Sequence, residues 1–314
     1  MRIRFDPTET IIFASSSGHC NLDCQYCVAS PVVKHQPSLT YEDLMFLKES
    51  VGGRVYFIFS GRGDFFAGYR KSDLLLARLL DHKDIRVALD INGVAINCFP
   101  DLSTDQLSRV QHINLTFHYR QLKQHRALNI WLQNALTMLR MHDGGDFFIN
   151  FILTPKESTE WDEALSWYET NLFGQYPKKI VLINDVLTGF TSAEENILNT
   201  IQAKYQHLLH QIRRGSFETL LSSFSSVQCP AGQSYFRVWN DGSIQSCPNI
   251  SELHDAGNAK SRIFKPRSHP YTCTDVRHCD CYHIASSGRM IYFKDRDHEP
   301  LSVSTKKVIK LNVA

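Results

Sequence analysis

The sequence predicts an α/β protein: a partial parallel barrel of six strand–helix units, (β/α)6, followed by a small cysteine-rich module that starts with a β-hairpin. Three observations predict it. Six short apolar runs rich in Ile, Val and Phe recur between residues 10 and 184. They are mostly continuous rather than alternating, as parallel strands buried on both faces are. Five of the nine cysteines crowd into the last third, while the 130 residues between Cys98 and Cys229 hold none.

The runs are 10–14, 54–59, 85–91, 112–118, 147–153 and 178–184. Six are fewer than the eight of a complete TIM barrel, so a partial barrel of that type is expected. Helical patterns lie between them. Leu128, Trp131, Leu132, Ala135, Leu136 and Leu139 share one helical face. Thr40 stands where an N-cap would open a helix, and Ser103 or Thr104 could cap another. Thr191 and Glu194 form a capping box before a long amphipathic pattern that runs from Ile197 to Ile212. The organisation expected is a barrel over 1–190, a bridging helix over 191–228 and a cysteine-rich module over 229–314. In that module Asp241-Gly242 is a hairpin turn between two β-like runs.

Composition excludes several functions. Lys and Arg total 34 against 32 Asp and Glu, a net charge of +2, so no nucleic-acid partner is expected. No apolar run approaches the ~20 residues that span a bilayer, and no apolar segment of signal-peptide length opens the chain. A cytoplasmic protein with no membrane partner is expected. In that compartment cysteines are metal ligands or redox groups rather than disulfides.

Cys20, Cys24 and Cys27 have the spacing C-x3-C-x2-C directly after the first run. Three thiolates on one tight loop can hold three corners of a cubane iron–sulfur cluster and leave one iron open. Cys24 and Cys27 alone would also suit a dithiol pair, and His19 is available as a fourth ligand for zinc. Cys98 reads as a small buried apolar residue.

The segment resembles the signature of the radical S-adenosylmethionine (SAM) enzymes, which carry this spacing with an aromatic residue before the last cysteine, here Tyr26. The resemblance implies a [4Fe-4S] cluster on Cys20, Cys24 and Cys27. It implies that SAM chelates the open iron and is reductively cleaved to a 5′-deoxyadenosyl radical, which takes a hydrogen atom from a substrate. It also implies an electron donor such as flavodoxin or ferredoxin. Many members carry a Gly-Gly-Glu-Pro-like stretch after the second strand that meets the SAM amine. The matching stretch is Ser60-Gly61-Arg62-Gly63-Asp64, in which Gly61, Gly63 and Asp64 fit and Arg62 departs. Asn92, before Gly93, and His118, at the end of the fourth run, stand where the family contacts SAM or substrate.

Cys229, Gly242 and Cys247 follow C-x12-G-x4-C, and Cys273, Cys279 and Cys281 close the set. This resembles the SPASM and shorter twitch modules of the same superfamily, and implies an auxiliary [4Fe-4S] cluster. The closing C-x5-C-x-C departs from the usual spacing, so the resemblance does not settle which of the last three are ligands. The bland alternative is a zinc knot that adds His278 or His283.

Such modules imply a radical SAM oxidoreductase or maturase. Its substrate would be a ribosomally made peptide or protein being oxidised or cross-linked. The alternative is a sugar or aminocyclitol that is dehydrogenated or epimerised, and the distant one a non-catalytic iron–sulfur or zinc protein. With nineteen residues before Cys20, a peptide enzyme is expected to use a separate leader-binding protein or none. Lys71, Arg120, Lys123 and Arg126 are basic residues expected near the barrel mouth, with solvated surface as the bland reading.

Overall fold

The computed structural model describes residues 8–15, 17–24, 27, 38–61, 63–68, 74–142, 146–184, 190–211, 226–247, 255–273 and 291–293. Seven strands follow one another in parallel register: β1 (Thr10–Ser15), β2 (Val55–Ser60), β3 (Ile85–Ile91), β4 (Val110–Thr116), β5 (Asp146–Leu153), β6 (Ile180–Asn184) and β7 (Leu209–Gln211). The main helices between them are α1 (Tyr41–Val51), α2 (Phe65–Gly68), α3 (Leu75–Leu80), α4 (Thr104–Leu107), α5 (Tyr119–Gln124), α6 (Leu128–Met141), α7 (Trp161–Tyr168) and α8 (Ser192–Lys204). The barrel does not close: among the described residues the sheet ends at β7 on one side.

The strands are continuous apolar runs because both faces are covered. In β2 Val55, Phe57 and Phe59 pack with the helices, while Tyr56 and Ile58 are equally buried on the inner face. The helices start where the side chains predict. Thr40 accepts from the Asp43 amide at 3.2 Å, and the Asp43 carboxylate accepts from the Thr40 amide at 2.9 Å. Ser103 with Gln106 and Thr191 with Glu194 repeat this box on α4 and α8. An aromatic cluster anchors the end of β4: Phe117 lies with its ring centre 4.7 Å from Trp131 and 5.5 Å from Trp167.

Two features differ from expectation. The bridging helix ends at Lys204 instead of running to Ile212. Tyr205 turns its hydroxyl to Asp162 at 2.9 Å, and Leu209 enters β7 beside β6. The apolar face that looked continuous is therefore helix followed by strand. The second feature is the position of the C-terminal hairpin. Strands β9 (Tyr235–Val238) and β10 (Ser243–Gln245) form it around Asp241-Gly242, but β9 also pairs in parallel with β1. It extends the barrel wall, with β11 (Gly257–Asn258) and β12 (Ile263–Phe264) beyond it. A separate antiparallel sheet holds β8 (Ser226–Cys229) between β13 (Tyr271–Cys273) and β14 (Ile291–Phe293).

Candidate functional site

The loops at the carboxyl ends of β1, β2 and β3 are fastened to one another. Asp64 is the fastener. Its carboxylate accepts the Asn92 amide at 2.6 Å and the Ala67 amide at 3.1 Å. Its own amide donates to the His19 carbonyl at 2.6 Å, and its carbonyl accepts the Ser17 hydroxyl at 2.6 Å. Gly63 permits the approach: a Cβ there would come within 2.7 Å of the Gly18 nitrogen and the His19 oxygen, and its φ of +86° favours glycine. Gly93 is equally constrained, since a Cβ would come within 2.5 Å of Leu115.

This fastening places the cysteine loop. Asn92 Nδ2 donates to Asn21 Oδ1 at 2.6 Å and lies 3.5 Å from Cys20 Sγ, as does the Leu22 amide. The Cys27 amide donates to the Cys24 carbonyl at 3.1 Å. Cys24 Sγ is 3.5 Å from His118 Nδ1. Desolvation pushes the His118 imidazole down to about 4, so it is neutral at pH 7. Burial raises the Cys20 thiol, and the nearby Asp64 charge adds to this. Burial also pushes Asp64 up to about 6, against the opposing pull of the amides that bond its carboxylate.

The donor set fits an iron–sulfur cluster. Cys20, Cys24 and Cys27 are thiols without disulfides, and N–H groups point at the Cys20 sulfur, a common tuning of cluster thiolates. Among the described residues no three Cys, His, Asp or Glu side chains converge on one metal ion. A cubane attaches its thiolates to separate irons, so that wider arrangement is compatible with it.

The C-terminal cysteines are carried on or beside short strands. Cys229 ends β8 and Cys273 ends β13. Tyr271 pairs with Cys229 and Cys273 with Val227, so the two cysteines are diagonal neighbours on one face, with Cα atoms about 7–8 Å apart. Cys247 follows Ser246, whose hydroxyl would lie 2.5 Å from a Cβ on Gly232. That contact sets the Cys247 segment beside the segment leaving Cys229. Cys279 and Cys281 lie outside the described residues, as do Tyr26, Arg62 and Lys71.

The structure thus gathers Cys20, Cys24, Gly63, Asp64, Asn92 and His118 around the carboxyl ends of four strands. Gly61 begins the β2 loop and is exposed. The Asp64 carboxylate, expected to meet the SAM amine, is occupied by backbone amides. Arg120 and Lys123 pair with Glu160 at 3.6 Å and Glu163 at 2.7 Å. Sequence reasoning missed Ser17 and Asn21. Ser17 precedes the cysteine motif and Asn21 lies inside it, close enough to have been weighed. Cys98 is buried in the core at 6% exposure.

No protein-family model matches the chain, and no curated protein matches it in sequence. Among solved structures the chain is similar to a polyhistidine-tagged "anSMEcpe with bound AdoMet". The TM-score is 0.52 at 16% identity, over 86% of this chain and 82% of that one. It is also similar to "Native anSMEcpe with bound AdoMet and Cp18Cys peptide", at TM-score 0.51 and 16% identity, over 81% and 78%. At this identity the likeness shows a shared fold, in agreement with the partial barrel.

Proposed function

We propose that the chain is a radical SAM enzyme. One observation carries this reading: a C-x3-C-x2-C loop fastened at the carboxyl end of β1, where α/β folds place ligands, in a fold shared with an AdoMet-bound protein. Cys20, Cys24 and Cys27 would hold a [4Fe-4S] cluster. That cluster, when bound with SAM, supplies the electron that cleaves SAM to the 5′-deoxyadenosyl radical.

The remaining roles belong to the chain. Asp64 and Asn92 hold the loop in one geometry, and Asn92 and Leu22 direct N–H groups at Cys20. Neutral His118 stands against Cys24 without adding charge. The apolar cluster of Phe117, Trp131 and Trp167 backs the end of β4 and excludes water from that side. Asp64 keeps the start of the loop after β2 in place against the loops that follow β1 and β3.

A peptide substrate is the favoured class, because a fold neighbour is described with a peptide bound. The proposal includes an auxiliary [4Fe-4S] cluster on Cys229, Cys247 and Cys273, completed by Cys279 or Cys281. It also includes a reducing cytoplasmic setting with a small electron-donor protein. The described helices include none long and apolar enough to cross a membrane.

The test is anaerobic reconstitution followed by iron, sulfide and 5′-deoxyadenosine assays. About eight irons per chain, falling to about four in the Cys20/Cys24/Cys27→Ala triple variant, is the expected result. A wild type that holds no iron or leaves SAM intact under dithionite sinks the proposal.

A further inference from the structure

We propose that Asp90 and Asn114, on neighbouring strands of the inner barrel wall, form a recognition site for a protonated amine with an oxygen on the adjacent carbon. A peptide amino terminus and an amino sugar both carry that group. This assignment deepens the proposed function and rests on it only for the amine belonging to the substrate.

The site follows from register. In β3, Ile85, Val87, Leu89 and Ile91 pack into the helix-covered core. Arg86, Ala88 and Asp90 alternate with them and therefore face the barrel interior. In β4, Ile113 and Leu115 join the core and Asn114 faces inward. Asp90 and Asn114 are register partners, on strands about 5 Å apart. Ser15 and Ser60 pair at the ends of β1 and β2, and the pairing of Phe59 with Leu89 sets Ser60 beside Asp90. The rung below is apolar on the same strands: Phe13, Ile58 and Ala88. Four polar residues thus form one rung at the carboxyl ends of four parallel strands, the end at which α/β barrels place their chemistry.

The two side chains offer complementary edges. Asn150 Nδ2 donates to Asn114 Oδ1, which leaves Asn114 its N–H edge for a ligand. Asp90 is half-buried, and among the described residues no Lys, Arg or His pairs with its carboxylate. Arg86, two residues back on the same face, is committed to Glu9 and, at 3.2 Å, to Gln111. Arg237 stands three strands away along the wall, against Phe13 and Trp239. A carboxylate drawn partly out of water is stabilised most by a cation that also donates to it. An ammonium seated on Asp90 turns an oxygen on the adjacent carbon toward the Asn114 N–H edge. A neutral amide or a lone hydroxyl would fill the hydrogen bonds and leave the charge uncompensated.

The test uses the full chain, cluster-free and anaerobically reconstituted, as wild type and Asp90→Asn, with thermal melts to show that each is folded. The probes are tri-alanine amide and glucosamine, each titrated against its N-acetylated form, and SAM. If a peptide amino terminus is the ligand, tri-alanine amide binds the wild type at least tenfold more tightly than its acetylated form, and Asp90→Asn abolishes that preference. If an amino sugar is the ligand, glucosamine shows the preference instead. In either case SAM binds both proteins alike. A wild type that prefers neither amine overturns the site, whatever the variant does, and so does a preference that survives in Asp90→Asn. A SAM Kd that rises tenfold in Asp90→Asn, with no amine preference, would give the carboxylate to SAM and also overturn the proposal. Amine binding is read in the cluster-free chain as well. A wild type that failed to cleave SAM would therefore sink the proposed function and still leave Asp90 to be judged.

Discussion

The two cysteine groups are held by different means. Cys20, Cys24 and Cys27 fall within eight residues, on a loop fastened to the ends of three long parallel strands by Asp64 and Asn92. Cys229, Cys247 and Cys273 are spread over 45 residues and sit on or beside strands of three to four residues. Side-chain and backbone contacts hold Cys20 and Cys24 of the first group. Among the described residues the second rests on short strands only, so a bound metal would supply much of its order. The lesson is that the N-terminal site should tolerate loss of metal better than the C-terminal one.

The largest expected effect breaks the first group chemically and leaves its scaffold. Cys24→Ala should abolish 5′-deoxyadenosine formation while the melting temperature of the cluster-free protein moves little, because the fastening does not pass through that sulfur. Persistent SAM cleavage by this variant would end the comparison. Next comes the second group. Cys229→Ala should remove about half the iron and leave SAM cleavage measurable. It should also increase proteolytic cutting in the C-terminal third, read by mass spectrometry. Iron content equal to wild type would show that the C-terminal cysteines hold no cluster.

Asp64 sharpens the comparison through pH. Burial raises its pKa in the folded chain to about 6 from 3.8. The folded chain therefore holds the proton more tightly than the unfolded chain. The stability from this group is fully present below about pH 4 and is lost as pH rises through about 6. The loss is on the order of 3 kcal/mol by pH 7. Urea melts of the cluster-free protein should show wild-type stability declining over that window relative to Asp64→Asn, which cannot ionise. Parallel curves for the two proteins would refute this. The C-terminal group has no comparable buried carboxylate among its described residues.

How much of this was legible in the sequence follows the same divide. Strands β1, β2, β3, β5 and β6 were readable because each is rich in buried Ile, Val, Leu or Phe, and β4 because Val110, Ile113 and Leu115 are buried along it. The cysteine motif was readable because its spacing is local. Strand β7 was not, because no Gly or Pro marks the end of α8 at Lys204, and Leu208 and Leu209 continue its apolar periodicity. The union of β9 with β1 joins residues more than 220 apart in the chain, and no local pattern encodes it. The role of Asp64 was half legible: its place after β2 drew attention, but its amide partners come from loops that only the fold brings together.

The smallest effect isolates position from chemistry. Cys98 has the same thiol as the other eight cysteines, yet it is buried among core residues at the start of the turn Phe99–Asp101, where its carbonyl accepts the Asp101 amide at 3.1 Å. Burial raises its thiol, so little thiolate forms at neutral pH. Cys98→Ala removes one sulfur from a packed site and should cost about 1 kcal/mol. It should leave iron, sulfide and 5′-deoxyadenosine at wild-type levels, and Cys98 should resist iodoacetamide in the folded wild type while reacting in urea. Loss of iron in this variant would mean that a cysteine's place on a strand end does not decide ligation. The contrast between the two groups would then have to be drawn from their metals instead of from the fold that carries them.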